Sequence, residues 1–332
     1  MSLRKIYYKL HSGKNPKLLY YLRAYSRRLM PGGLLRSLRP RLLAEINSRP
    51  DRDEILSRAD YYCKITPDTD FDREAFRQKS IEIGRQPMTR QKVYYIDSME
   101  YGRYFSPGER WILEEADVNY ALPLPSVTKS RPVRGGNANN VLLNLDKVRH
   151  FLFVKDKLAF RDKKPMVLFR GKVAQSDSAF RDAKESRVAF LRKWYGTPMV
   201  DAGAVDRAFP EWHTHKLTID EQLRYKFIMA IEGNDVASNL KWIMSSNSVA
   251  VMPRPTCETW FMEGTLIPNY HYIEIKSDFS DLEERLTYYL EHPEEAEQII
   301  AHAHDYVARF RDKHREKLIS LLVLSRYFDA TR

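Results

Sequence analysis

The chain has 332 residues, 43% of them hydrophobic and 30% charged, with a net charge of +11. That length suits two domains of ordinary size, each with a real core. Its two cysteines, Cys63 and Cys257, lie far apart, which argues against a disulfide framework and a cysteine-built zinc site and fits a reducing compartment. No run of about 18 apolar residues occurs, so no membrane-spanning segment is expected.

The excess charge sits at one end. Residues 1–44 hold 11 of the 55 Lys and Arg and none of the 44 Asp and Glu, so the remainder of the chain is balanced. Within this arm, "LLYYLRAYSRRLMPGGLLRSLRPRLL" mixes Leu and Tyr with Arg at helical spacing. A basic amphipathic segment suits an anionic membrane surface. It also suits a helix packed on the protein with a solvated basic face. Nucleic acid is not expected as a partner, because the charge is not spread over a whole domain.

Residues 45–163 form the expected N-terminal domain. Its first part, to residue 90, is polar with a helical pattern. There "PDTDFD" places Asp68 and Asp70 like an Asp-x-Asp metal pair, but "REAFRQKS" follows, so a helix-capping role is expected. "KVYYIDSMEYG" (92–102) reads as a buried strand ending at Asp97. "VNYALPLPSVTKSRPV" is extended, and "RGGNANN" is a loop.

Beyond Lys164 strands and helices alternate, which defines an expected domain over 164–300 with a parallel, doubly wound sheet. Its strands are "MVLFRG", "PMVDAG", "FIMAIEG", "SVAVMP" and "HYIEIK", each expected to lead into a helix. "TIDEQLRYK" carries a capping box, Thr218 with Glu221. A C-terminal helix (301–332) is expected to pack back on the N-terminal domain. His213 and His215 in "WHTHK" lack a third metal ligand and read as loop residues.

Ligands of such sheets bind beyond the carboxyl ends of the strands. Arg170, Gly171 and Lys172 follow the first strand. Glu232, Gly233, Asn234 and Asp235 follow the third, with Ser238, Asn239 and Lys241 in the next helix. Arg254, Thr256 and Glu258 follow the fourth. Arg and Lys suit phosphate oxygens, helix starts favour anions, and a carboxylate can accept ribose hydroxyls. The set describes a nucleotide-diphosphate site. The Asn234–Asp235 turn by itself also fits plain helix capping.

The segments "LFRGK", "SRVAFLRKWYGTPMVDA", "KFIMAIEGNDVASNLKWIMSSNSVAVMP" and "ETWFMEGTLIPNYHYIEIKSDFSDLEE" resemble glycosyltransferase family 90 over roughly residues 90–300, in its bacterial lipopolysaccharide branch. The resemblance implies an α/β, GT-B-like fold: two Rossmann-like domains facing a cleft, with the helical arm and C-terminal helices added. It implies inverting, metal-independent transfer from a UDP-sugar to a lipopolysaccharide core, with no cofactor. Asp97 matches the position of the base, and Arg187 matches a diphosphate-binding arginine. Asn234, Asp235, Val236, Ala237, Ser238 and Asn239 match the donor loop, where Asn239 replaces a family arginine and Lys241 matches a lysine. The expected location is cytoplasmic, peripheral on the inner membrane. The competing expectation is a membrane-associated binding protein with a degenerate nucleotide-sugar site.

Overall fold

The computed structural model describes residues 3–174 and 184–332. In chain order the helices are α1 (Leu3–His11), α2 (Lys17–Arg28), α3 (Gly32–Glu45), α4 (Arg52–Tyr62), α5 (Arg73–Lys79), α6 (Lys92–Gly102), α7 (Lys147–His150), α8 (Glu185–Trp194), α9 (Ile219–Gln222), α10 (Leu240–Met244), α11 (Leu282–Glu291), α12 (Pro293–Ala308) and α13 (Lys313–Thr331). The strands are β1 (Ile81–Glu82), β2 (Arg110–Trp111), β3 (Ser126–Thr128), β4 (Ser130–Pro132), β5 (Asn140–Leu142), β6 (Lys164–Gly171), β7 (Val200–Ala204), β8 (Tyr225–Met229), β9 (Val249–Met252), β10 (Cys257–Thr259) and β11 (Ile273–Glu274). They form two units, each made of separate chain segments. One takes Met1–Asn15, Arg149–Pro255 and Thr265–Arg309; the other takes Pro16–Val148, Thr256–Gly264 and Phe310–Arg332.

The first unit contains the expected sheet. Five strands pair in the order β11-β9-β8-β6-β7, all parallel. Val167, Phe169, Phe227, Met229, Val249, Val251 and Ile273 enter one core together with Phe190 and Leu191 of α8, Leu286 of α11 and Ile299 of α12. The alternate residues Leu168, Ile228 and Ala250 are buried as well. Both faces of the sheet are therefore covered, which is why its strands read as continuous apolar runs. The helices between strands are shorter than expected. α9 has four residues, begun by the Thr218–Glu221 capping box. α10 has five and begins at Leu240.

One expected element is overturned. "SVAVMP" is not followed by a helix. After Pro255 the chain enters the second unit as β10, antiparallel to β4. In the second unit β3 pairs with β5 in parallel, with a further parallel bridge between Leu113 and Val127. Helices carry most of the unit's packing. Glu316 of α13 accepts from Arg58 of α4 and from Trp260 Nε1, and Trp260 stacks on Tyr62 at 3.9 Å. These contacts fasten the residue 256–264 excursion and the C-terminal helix to α4.

"KVYYIDSMEYG" is the second correction. It is α6, with Asp97 in mid-helix rather than at a strand end. Tyr94, Asp97, Ser98 and Tyr101 are buried at helical spacing. A short apolar, aromatic-rich run does not separate strand from buried helix by periodicity, and its length of 11 residues favours the helix. The cap of α5 is Asp72, which accepts from Ala75 N at 2.9 Å, rather than Asp68 or Asp70. Cys63 and Cys257 are free and buried.

Candidate functional site

The sheet order reverses at β6. Its neighbours are β7, which follows it in the chain, and β8, reached by crossing back. Such a reversal opens a crevice at the carboxyl ends of the two central strands. Here those ends lead to Gly171–Lys172 and to Ile231–Glu232–Gly233.

Arg187, in the first turn of α8, spans the two ends. Its Nη1 donates to Lys172 O at 2.8 Å. Its Nη2 donates to Ile231 O at 2.8 Å, and Nε is shared between Ile231 O and Glu232 O at 3.2 and 3.1 Å. A guanidinium carries five N–H donors in a planar fork. Among the described residues, these carbonyls leave one N–H over on each terminal nitrogen. Burial lowers the Arg187 pKa to about 10, against the opposing charges of Asp206 and Asp235, so the group stays cationic at neutral pH.

Two glycines flank this fork. A Cβ at Gly233 would lie 3.2 Å from Arg187 Nη2 and 3.4 Å from Lys184 Nζ. A Cβ at Gly171 would lie 3.4 Å from Arg187 Nη1 and 2.9 Å from the Phe169 ring. Neither glycine is needed for a left-handed backbone; each is needed for space. Lys184 is the N-cap of α8 and donates its N–H to Val173 O at 2.8 Å. Asp206 holds the same turn, accepting from Val173 N at 2.6 Å. Sequence reasoning missed both. The available signal for Lys184 was its position three residues before Arg187, one helical turn away.

The other expected residues divide. Lys172 and Ser238 are exposed, and Asn234 is half-buried. Gly233 N donates to Asp235 O at 3.0 Å, which closes the loop. Asp235, Val236 and Ala237 are buried. Asn239 donates to Met229 O at 2.9 Å and stands at the N-cap position of α10 without a side-chain cap bond. Lys241 is fully enclosed, with its ammonium 5.9 Å from the Phe151 ring centre. Arg170 turns back along the sheet. It bonds Asp201 O at 2.8 Å and pairs with the Asp201 carboxylate, although its partner in register is Gly203. Glu258 belongs to the other unit. On β10 it is fully buried, pairing with Arg131 Nε at 2.7 Å and accepting from Tyr61. Losing either partner of such a buried pair is costly, which helps to hold β10 beside β4.

Asp97 is also in the second unit and is 0% exposed. Its Oδ1 accepts from Tyr20 Oη and its Oδ2 from Lys147 N, both at 2.9 Å. Lys147 Nζ stands 3.7 Å from Oδ1 and 2.7 Å from Glu100. Burial raises the Asp97 pKa to about 6, against the opposing charge of Lys147. Tyr20 and Lys147 had no signal in the sequence, since each meets Asp97 only through tertiary packing.

Among the described residues, no three His, Cys, Asp or Glu side chains converge as metal ligands, and no helix is long and apolar enough to cross a membrane. His213 Nδ1 lies 2.8 Å from Asp206 O.

A cationic fork at the switch point of a parallel α/β sheet suits an anionic ligand. Comparison with known proteins makes the class specific. The glycosyl transferase family 90 model matches residues 140–315. A curated relative, "O-glucosyltransferase LpsA" of Dichelobacter nodosus, is 39% identical over 244 residues, which cover 73% of this chain and 74% of that protein. The chain belongs to glycosyl transferase family 90. It is a glycosyltransferase, so it uses a sugar donor and a glycan acceptor, and of the two expectations above the transferase is the one that stands.

Proposed function

We propose that this chain is an inverting transferase that moves a hexose or pentose from a UDP-sugar to a lipopolysaccharide core, without a metal. The relative's name points to glucose among the sugars and to lipopolysaccharide as the acceptor class. The observation that carries the donor reading is Arg187, bridging two strand ends with N–H groups to spare among the described residues. With Lys184 and Lys172 it would balance the charge that grows on a leaving diphosphate. A GT-B architecture with the donor on the sheet-bearing unit is part of this proposal.

Inversion needs one carboxylate to take the acceptor's proton. Asp97 is the proposed base, on a condition set by its surroundings: the acceptor hydroxyl must displace Tyr20. A pKa near 6 suits that work, because the group is ionised at neutral pH yet more basic than an ordinary aspartate. One observation favours a second reading. Glu115 lies just beyond the parallel bridge at Leu113, its Oε2 accepts from Thr89, and its buried Oε1 has no hydrogen-bond partner among the described residues. In that reading Glu115 takes the proton and Asp97 ties α2 and α6 together.

The test is calorimetric titration with UDP, with ADP and GDP as controls, in EDTA, on wild type and Arg187→Ala. UDP-selective binding that survives EDTA and is lost in the variant is expected. No UDP binding, or binding only with a divalent metal, would break the donor reading.

A further inference from the structure

The basic arm expected over residues 1–44 is three helices, and α2 and α3 belong to the second unit. α2 has two distinct sides. Tyr20 and Ala24, one turn apart, turn inward: Ala24 is buried, and Tyr20 reaches Asp97. Leu18, Leu22, Tyr25 and Leu29 recur at spacings of four, three and four, which is one helical stripe. They are 72%, 57%, 46% and 85% exposed. Lys17, Arg23 and Arg28 are exposed on the same helix. On α3, Leu34 and Leu38 are exposed with Arg36 and Arg41. A helix already anchored by its inner side has no folding reason to show water a row of leucines.

On the side of α2 that Ala24 faces, away from the stripe, α2 and α6 line a cavity of about 280 Å³. Arg27, Arg28, Arg103, Tyr95 and Glu100 contribute to its lining. Arg103 closes the end of α2, donating to Arg27 O at 2.9 Å. Arg28 stands 5.6 Å over the Tyr95 ring. Among the described residues Arg27 pairs with Glu100, and Arg28 and Arg103 pair with no carboxylate. The lining therefore keeps net positive charge.

We propose that α2, supported by α3, is a docking surface for an anionic phospholipid bilayer. Leu18, Leu22, Tyr25 and Leu29 enter the boundary between headgroups and acyl chains, and the exposed Lys17, Arg23 and Arg28 of the same helix pair with lipid phosphates. The stripe sits on a convex helix surrounded by cations, with no Asp or Glu before Glu45. A flat anionic surface matches that pattern. This reading does not depend on the donor site.

The experiment sediments the full chain with phosphatidylcholine vesicles, with and without phosphatidylglycerol. Wild type is compared with Leu18→Ser/Leu22→Ser/Leu29→Ser and with Arg23→Glu/Arg28→Glu. Wild type should bind the anionic vesicles only, and less so in high salt. Each variant should lose on the order of tenfold or more in partitioning. UDP titration of both variants should match wild type, which separates loss of docking from loss of fold or of the donor site. Equal binding to neutral and anionic vesicles, or full binding by the triple serine variant, would overturn the proposal. So would self-association in solution that the serines abolish, with no vesicle binding, since the stripe would then serve a second copy of the chain.

Discussion

Arg187 and Asp97 are both charged groups drawn out of water, one in each unit. Burial moves their pKa values in opposite directions, Arg187 down to about 10 and Asp97 up to about 6, because it disfavours whichever form carries the charge. They differ in what remains available. Among the described residues three carbonyls leave Arg187 with donors to spare, so it can brace the fold and hold an anion at once. Tyr20 and Lys147 fill one oxygen each on Asp97, so that carboxylate must release a tie before it can act.

The comparison is broken most directly at Asp97. If it is the base, Asp97→Asn should slow transfer by about 10²- to 10⁴-fold with UDP affinity unchanged, and Glu115→Gln should be mild. If it is a tie, Asp97→Asn keeps transfer, Glu115→Gln takes the kinetic loss, and the melting temperature falls because an amide N–H now faces a donor. Acidity sharpens the same point. As a base, Asp97 should give a rate that falls below about pH 6. As a folded-state group it binds its proton more tightly than the unfolded chain does. Stability should therefore decline as pH rises from the ordinary aspartate range through about 6, then level off. Urea titrations across that window should show this slope in wild type and not in Asp97→Asn.

Arg187 comes next. Arg187→Ala should weaken UDP by about 10- to 100-fold, and Arg187→Lys should recover little, since an ammonium cannot span both strand ends. Gly233→Ala should cost several-fold in UDP affinity with the fold retained, because the new methyl meets Nη2 at 3.2 Å. The smallest effect is expected at Arg170. Arg170→Ala should lower stability by about 1 kcal/mol through the loss of Asp201, with an unchanged UDP titration.

How far the sequence could be read followed the periodicity. β6, β7, β8, β9 and β11 stood out because both faces of a parallel sheet are buried, and Thr218–Glu221 announced its cap. Gly171 and Gly233 were legible as neighbours of strand ends, and Arg187 only through the family resemblance. Arg170 was not, because register alone does not say which way a long side chain turns. Glu258 was misplaced because the chain changes units after Pro255, and only the distant Arg131 explains why. α6 was read as a strand because aromatic side chains suit both conformations in so short a run.

The second unit opens at Pro16 and is completed only by Phe310–Arg332. Tyr62 and Arg58 therefore wait for Trp260 and Glu316 before their polar groups are satisfied. During synthesis the N-terminal half emerges first yet cannot close until α13 leaves the ribosome, while the sheet-bearing unit needs only residues up to Arg309. Removing α13 should thus yield a chain with a folded sheet and an unclosed, protease-sensitive N-terminal half.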